Sequence, residues 1–185
     1  MSWIKEIDTD EASGELAEIY EQLIASRGKL SNIMQVHSLN PRAMQKHLEL
    51  YMHLLFGKSK LSRGEREGIA VVVSATNNCA YCVSHHAEAL ARYENDEAGI
   101  NQLIAGLRYL DGDDRNARIM RYASKLTATP SAVSEKDIQQ LRQVGLGDDE
   151  ILDVNLVTAY FNFVNRIALG LGVEFSADEV SGYDA

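Results

Sequence analysis

Apolar positions along this chain recur three and four residues apart, the spacing of a single helix face. Residues 10–27 place Leu16, Ile19, Tyr20, Leu23 and Ile24 on one stripe, with Gly28 in position to cap the C-terminus. Ser31 to Val36 reads as a short helix or turn. Asn40-Pro41 is a start signal, Asn as N-cap and Pro at the first helical position, for a helix to about Phe56 that Gly57 stops. Its apolar set is Met44, Leu48, Tyr51, Leu54 and Leu55, and His47 and His53 on it read as surface or satisfied core histidines. Ser62-Arg63-Gly64-Glu65 fits a capping box and opens a segment through Ile69-Ala70-Val71-Val72-Val73-Ser74-Ala75. That β-branched run favours a strand, but no other segment offers a strand partner, so a helix is predicted.

A fourth long helix is expected from near Asn78, carrying Cys79, Cys82, His86, Ala89 and Leu90. Shorter ones follow over 97–108, with Ile100, Leu103, Ile104 and Leu107, and from Asp113 or Asp114 to about Ala128, where Thr129-Pro130 breaks it. Ser134-Glu135-Lys136-Asp137 opens the next, which turns Ile138, Leu141 and Val144 inward and ends at Gly145. The segment 149–171 is apolar nearly all round, as in a helix buried on several sides or covered by a partner subunit. Residues 174–185 form an acidic, flexible tail. The prediction is an all-α, single-domain helical bundle over residues 1–185.

Composition narrows the function. The chain has 185 residues, 45% of them hydrophobic, enough for one core. Its 27 acidic and 18 basic residues give a net charge of −9, which opposes binding to a phosphate backbone. The first residues lack a basic start followed by an apolar stretch, and no apolar run approaches the ~20 residues of a membrane helix. The cytosol is therefore the expected compartment, where a CxxC pair points to catalysis or metal binding more than to a structural disulfide.

The candidate chemistry lies in Asn77-Asn78-Cys79-Ala80-Tyr81-Cys82-Val83-Ser84-His85-His86, which holds the only two cysteines. On a helix Cys79, Cys82 and His86 stand at i, i+3 and i+7, along one stripe, while His85 falls about 100° away from His86. The positive end of a helix dipole stabilises a thiolate, and a nearby histidine can take the thiol proton. The spacing also lets the two sulfurs close as a disulfide that an external reductant reopens. A carboxylate would complete a relay. Glu65 is occupied by the capping box, so Glu67 is the candidate, and burial would raise its pKa and suit it to proton transfer. Rival readings are a pair of inert buried thiols, a metal site built from the cysteines and a histidine, and a thioredoxin-like motif, which lacks its βαβ context here.

Glu67, eleven residues, Cys79-x-x-Cys82, three residues and His86 resemble the E-x(11)-C-x-x-C-x(3)-H signature of the alkylhydroperoxidase D-like branch of the carboxymuconolactone decarboxylase superfamily. Leu61-Ser62 is similar to that family as well. So are Glu11-Ala12-Ser13-Gly14-Glu15 and Tyr160-Phe161-Asn162-Phe163-Val164-Asn165-Arg166, which are like the subgroup labelled peroxidase-related enzymes. The resemblance implies an all-helical fold that assembles into homo-oligomers, trimers or hexamers. It also implies a hydroperoxide reductase in which Cys79 and Cys82 react and Glu67 and His86 relay protons. No bound cofactor is implied; the partners would be a hydroperoxide and an external dithiol or lipoyl-type reductant. The well-studied branch has a histidine just before the second cysteine, where this chain has Tyr81, a far weaker base, so Tyr81 and His85 are accessory candidates. Exposure at the helix start favours Cys79 as the attacking sulfur. Its i+4 relation to His86 favours Cys82, which is preferred, with Cys79 resolving. The alternatives to a peroxidase are a lactone decarboxylase or isomerase that uses His86 and Glu67 as acid and base, and a non-enzymatic thiol redox sensor.

Overall fold

The computed structural model describes residues 2–106, 112–181 and 183. The fold is all-α, as the periodicity predicts. In chain order the helices are α1 (Glu15–Arg27), α2 (Asn32–Gln35), α3 (Pro41–Phe56), α4 (Arg63–Thr76), α5 (Ala80–Leu90), α6 (Glu97–Ile104), α7 (Arg115–Ala128), α8 (Glu135–Gln143), α9 (Asp148–Leu171) and α10 (Ala177–Val180). A 3-10 turn at Pro130–Ala132 follows α7, and no strand occurs among the described residues. The contacts divide the chain into two compact units. One is built from the chain up to Met52 and from Arg166 onward, the other from His53–Asn165.

In the first unit α1 buries Leu16, Ile19, Tyr20 and Leu23, while Ile24, at the edge of the stripe, stays 40% exposed. Gly28 ends α1 in the left-handed conformation, φ 79°, and returns its N–H to the Ile24 carbonyl. His47 of α3 is buried, its Nδ1 3.4 Å from His37 Nε2, and His37 Nδ1 donates to the Ile33 carbonyl at 2.9 Å. Burial, and then the neighbouring His37, push His47 down to about 3, so the pair is neutral. His53 is exposed. Described residues within the expected tail make several contacts. Ser176 caps α10, Asn32 N donates to Glu179, and Lys29 Nζ reaches the Asp178 carbonyl at 2.7 Å.

The second unit is organised around α4. Its capping box is complete: Ser62 Oγ accepts from Glu65 N at 3.1 Å and Ser62 N donates to Glu65 Oε2 at 2.7 Å. Nine consecutive residues, Arg66 through Ser74, are buried, so α4 is enclosed on every side by α5, α6, α7 and their neighbours. This explains why Val71-Val72-Val73 is helical. Each valine gives up a few tenths of a kcal/mol of helix propensity but gains about 1.5 kcal/mol or more by full burial. Arg66 Nη1 donates to the Leu54 and Gly57 carbonyls and so satisfies the end of α3. Helix α6 stops at Ile104, short of the expected 108, and Leu107 lies outside the described residues. Asp114, not Asp113, caps α7, accepting from Ala117 N at 2.9 Å. Helix α9 buries Val154, Val157, Phe161 and Val164 but leaves Leu152, Leu156 and Phe163 between 40% and 57% exposed.

Candidate active site

The turn between α4 and α5 places the cysteines. Asn77 is the C-cap of α4, and Asn78 takes the left-handed conformation, φ 56°. Asn78 N donates to the Ala75 carbonyl and Cys79 N to the Ser74 carbonyl at 2.8 Å, the paired bonds of a Schellman turn. Asparagine is the non-glycine residue best suited to that backbone. Cys79 therefore lies not within the helix, as the spacing suggested, but at its N-cap, and α5 begins at Ala80. Both cysteines are free thiols, 1% and 2% exposed, so Cys79 is not the accessible sulfur that a helix start implied.

Glu67 comes to α5 from α4. It is fully buried. His86 Nδ1 donates to its Oε2 at 2.6 Å, and Arg63 Nε donates to its Oε1 at 2.8 Å, with Arg63 Nη2 on the same oxygen. The Arg63 guanidinium also lies over the Phe56 ring, 3.6 Å from its centroid. Burial pushes the Glu67 carboxyl up, but His86 and Arg63 together outweigh it and hold the pKa below the ordinary carboxylate value. The expectation that burial would raise it is thus reversed, because the charge arrives with two partners. Glu67 is favoured as the carboxylate and holds the His86 ring through that bond. A carboxylate can only accept, so Nδ1 of His86 carries the hydrogen and Nε2 is the nitrogen that can take or return a proton. The His86 ring meets the edge of Phe161 at 4.5 Å, which fixes its plane.

The sulfurs form one coupled unit. The Cys82 thiol donates to Cys79 and is the main reason that the Cys79 pKa falls to about 7. The Cys82 N–H and the neighbouring His85 act in the same direction, and burial opposes them. Cys82 is held well above the usual thiol range, first by that shared hydrogen and then by burial. Within the pair the bias toward thiolate falls on Cys79 and the hydrogen stays with Cys82, the opposite bias to the one that proximity to His86 suggests. The accessory pair is ordered: His85 Nδ1 donates to the Tyr81 carbonyl at 2.7 Å, and the two rings stack at 4.2 Å. Tyr81 is buried.

Sequence reasoning missed three groups. Arg63 was passed over as a helix-start residue. Ser74 and Asn165 are both fully buried, and Asn165 Nδ2 donates to Ser74 Oγ at 3.0 Å. Both side chains hydrogen-bond to Cys82. Behind them Asn77 Nδ2 donates to Asn165 Oδ1 at 2.9 Å and Asn162 Oδ1 at 3.1 Å, and Asn162 donates to Thr127 Oγ1 at 2.9 Å. The available signal was a lone serine in the run 69–75 and two amides, i and i+3, on an otherwise apolar helix. A cavity of about 590 Å³ lies along the Gly64 and Gly68 face of α4, between Leu90, Tyr93, Leu103 and Met120, and neither cysteine, Glu67 nor His86 lines it. Among the described residues no three His, Cys, Asp or Glu side chains converge to hold a metal ion.

Residues 41–125 match the carboxymuconolactone decarboxylase family. Over 97% of its length the chain superposes on 94% of a structure of an uncharacterized peroxidase-related protein from Silicibacter sp. TM1040, with 28% identity and a TM-score of 0.84. An alkylhydroperoxidase AhpD core protein from Ralstonia eutropha JMP134, also described as uncharacterized and peroxidase-related, superposes over 97% of this chain and 94% of its own, with a TM-score of 0.85 and 24% identity. Sestrin-3 of Mus musculus is 25% identical over 173 residues; these are 91% of this chain but 33% of that protein, so the chain spans about a third of it. The Glu67, Cys79, Cys82 and His86 signature lies within the matched stretch, seated on α4 and α5; there the chain is similar to the carboxymuconolactone decarboxylase family, and its fold is that of the peroxidase-related proteins.

Proposed function

We propose that the protein is a cysteine-dependent hydroperoxide reductase. The observation that carries this reading is a pair of free, buried cysteines at the start of the helix whose His86 is held by a buried, doubly paired Glu67. The Cys79 thiolate attacks the terminal oxygen of the hydroperoxide. The O–O bond breaks, an alcohol leaves with a proton from His86, and Cys79 becomes a sulfenic acid. Cys82 gives up its proton, attacks Cys79 Sγ and expels water, leaving a disulfide. An external dithiol then restores both thiols. The sum is one hydroperoxide and one dithiol converted to an alcohol, water and a disulfide. A general acid–base decarboxylase would need Glu67 to exchange a proton, and its two donors disfavour that.

The test is turnover of an organic hydroperoxide with a dithiol donor, comparing wild type with Cys79→Ser and Cys82→Ser. Both variants should lose turnover, Cys79→Ser before sulfenic acid forms and Cys82→Ser after it, with the sulfenic acid trapped by dimedone. Turnover that survives in both would overturn the reading.

Assembly is proposed on separate ground. Leu152, Leu156, Ala159 and Phe163 make an exposed stripe at i, i+4, i+7 and i+11 on α9, a face suited to another copy of the chain.

A further inference from the structure

The buried side chains packed around Cys82 present hydrogen-bond donors to its sulfur. Asn77 donates to Asn165 Oδ1, which fixes the Asn165 amide so that its NH2 faces Ser74 and Cys82. One amide hydrogen goes to Ser74 Oγ and the other to Cys82 Sγ. Ser74 Oγ, already accepting, turns its own hydrogen to Cys82 Sγ. Both sulfur lone pairs are then occupied by donors. The one group left on Cys82 is its S–H, and Cys79 is its acceptor. Cys79, Cys82, Ser74 and Asn165 are all buried, the last two completely, so water does not compete at the sulfurs.

From this we propose that Ser74 and Asn165 are positioning residues that give the cysteine pair a direction, aiming the Cys82 S–H at Cys79 in the dithiol and stabilising Cys82 as the leaving thiolate when the disulfide is reduced. The second half follows from the same two donors. In the disulfide Cys79 carries no charge, and an incoming thiolate can attack either sulfur. Attack on Cys79 Sγ makes a mixed disulfide there, breaks the S–S bond and leaves the electron pair on Cys82 Sγ, where the Ser74 hydroxyl and the Asn165 amide already point. Attack on Cys82 would leave the charge on Cys79, with neither donor. The second thiol of the reductant then attacks its own sulfur in the mixed disulfide and releases Cys79 as thiolate.

This inference rests on reading Cys79 and Cys82 as a redox pair, and its readouts do not require peroxide turnover. The first is the pH dependence of alkylation of reduced protein by iodoacetamide, mapped by mass spectrometry. Asn165→Leu and Ser74→Ala should each move the Cys79 midpoint from about 7 toward 8, which cuts the thiolate at pH 7 roughly fivefold. Ser74→Thr, which keeps the hydroxyl, should restore it. The second readout is the site of the mixed disulfide when oxidised protein meets a monothiol and is quenched in acid. Wild type should carry the adduct on Cys79, and Ser74→Ala on both cysteines. Ser74→Ala removes one oxygen and keeps the remaining packing, so the test stands even where Asn165→Leu fails to fold. Unchanged midpoints in the variants, or a wild-type adduct on Cys82, would overturn the inference. An inactive wild type that still shows the shift and the Cys79 adduct would refute the peroxidase reading and leave this one standing.

Discussion

At the scale of single residues, Cys79 and His47 both have lowered pKa values, which favours the charged form of the first and the neutral form of the second. A Cys79 pKa of about 7 makes its reactivity rise with pH. Alkylation of Cys79 should increase about tenfold from pH 6 to pH 8 and level off above that, as measured by stopped-time labelling. A rate still climbing steeply above pH 8.5 would show that Cys79 is an ordinary thiol. His47 behaves differently. Its folded pKa, about 3, lies below the ~6.5 of the unfolded chain, so the unfolded state binds more protons between those values. The stabilisation from neutral His47 is complete above pH 6.5 and is lost as the pH falls toward 3, at up to about 1.4 kcal/mol per unit. Denaturant midpoints should therefore drop between pH 6 and pH 4.5, and His47→Gln should flatten that drop. Glu67 shows the limit of the sequence at this scale. Its place in the motif was legible from spacing alone. The sign of its pKa shift was not, because burial and pairing compete, and only the positions of Arg63 and His86 decide which wins.

At the scale of elements, capping chemistry carried most of the reading. Ser62 with Glu65, Asn40 before Pro41 and Gly28 after Arg27 each act over a few residues, so their partners are adjacent in the sequence. The α4–α5 turn is less obvious, since an asparagine supplies the left-handed corner where a glycine would be the usual signal. Asn78→Gly should fold with wild-type stability. Asn78→Val should cost about 1–2 kcal/mol in urea unfolding and slow Cys79 alkylation, because a β-branched residue resists positive φ. Equal stability of the two variants would mean that the turn does not depend on that backbone. The donors on Cys82 were out of reach for another reason. Asn165 meets Ser74 across 91 positions, and no local pattern records a contact of that span.

At the scale of the whole chain, 27 acidic and 18 basic residues keep copies apart electrostatically, while α9 leaves apolar side chains in solvent. No described helix is long and apolar enough to cross a membrane, so that stripe is not a membrane span. The two facts fit a defined assembly in preference to general stickiness. Phe163→Glu combined with Leu156→Glu should yield a smaller species by light scattering, with helical content unchanged by circular dichroism. An unchanged mass would place the subunit contact elsewhere. The all-helical class was legible from period alone, because nearly every long segment repeats at three and four. The division into units at Met52/His53 and Asn165/Arg166 was not, since both boundaries fall inside continuous helices.

The near-total enclosure of the two sulfurs has a kinetic consequence. A reagent cannot touch a sulfur that is 1% or 2% exposed until the surrounding side chains part. Modification then has two stages, a fluctuation of the protein and a bond-forming encounter, and the slower one sets the pace. As reagent concentration rises, the observed rate should stop increasing and reach a plateau equal to the frequency of that fluctuation. Two disulfide reagents of very different intrinsic reactivity should reach the same plateau. Strict proportionality to concentration for both, up to the highest usable level, would mean that the enclosure opens faster than either reagent reacts.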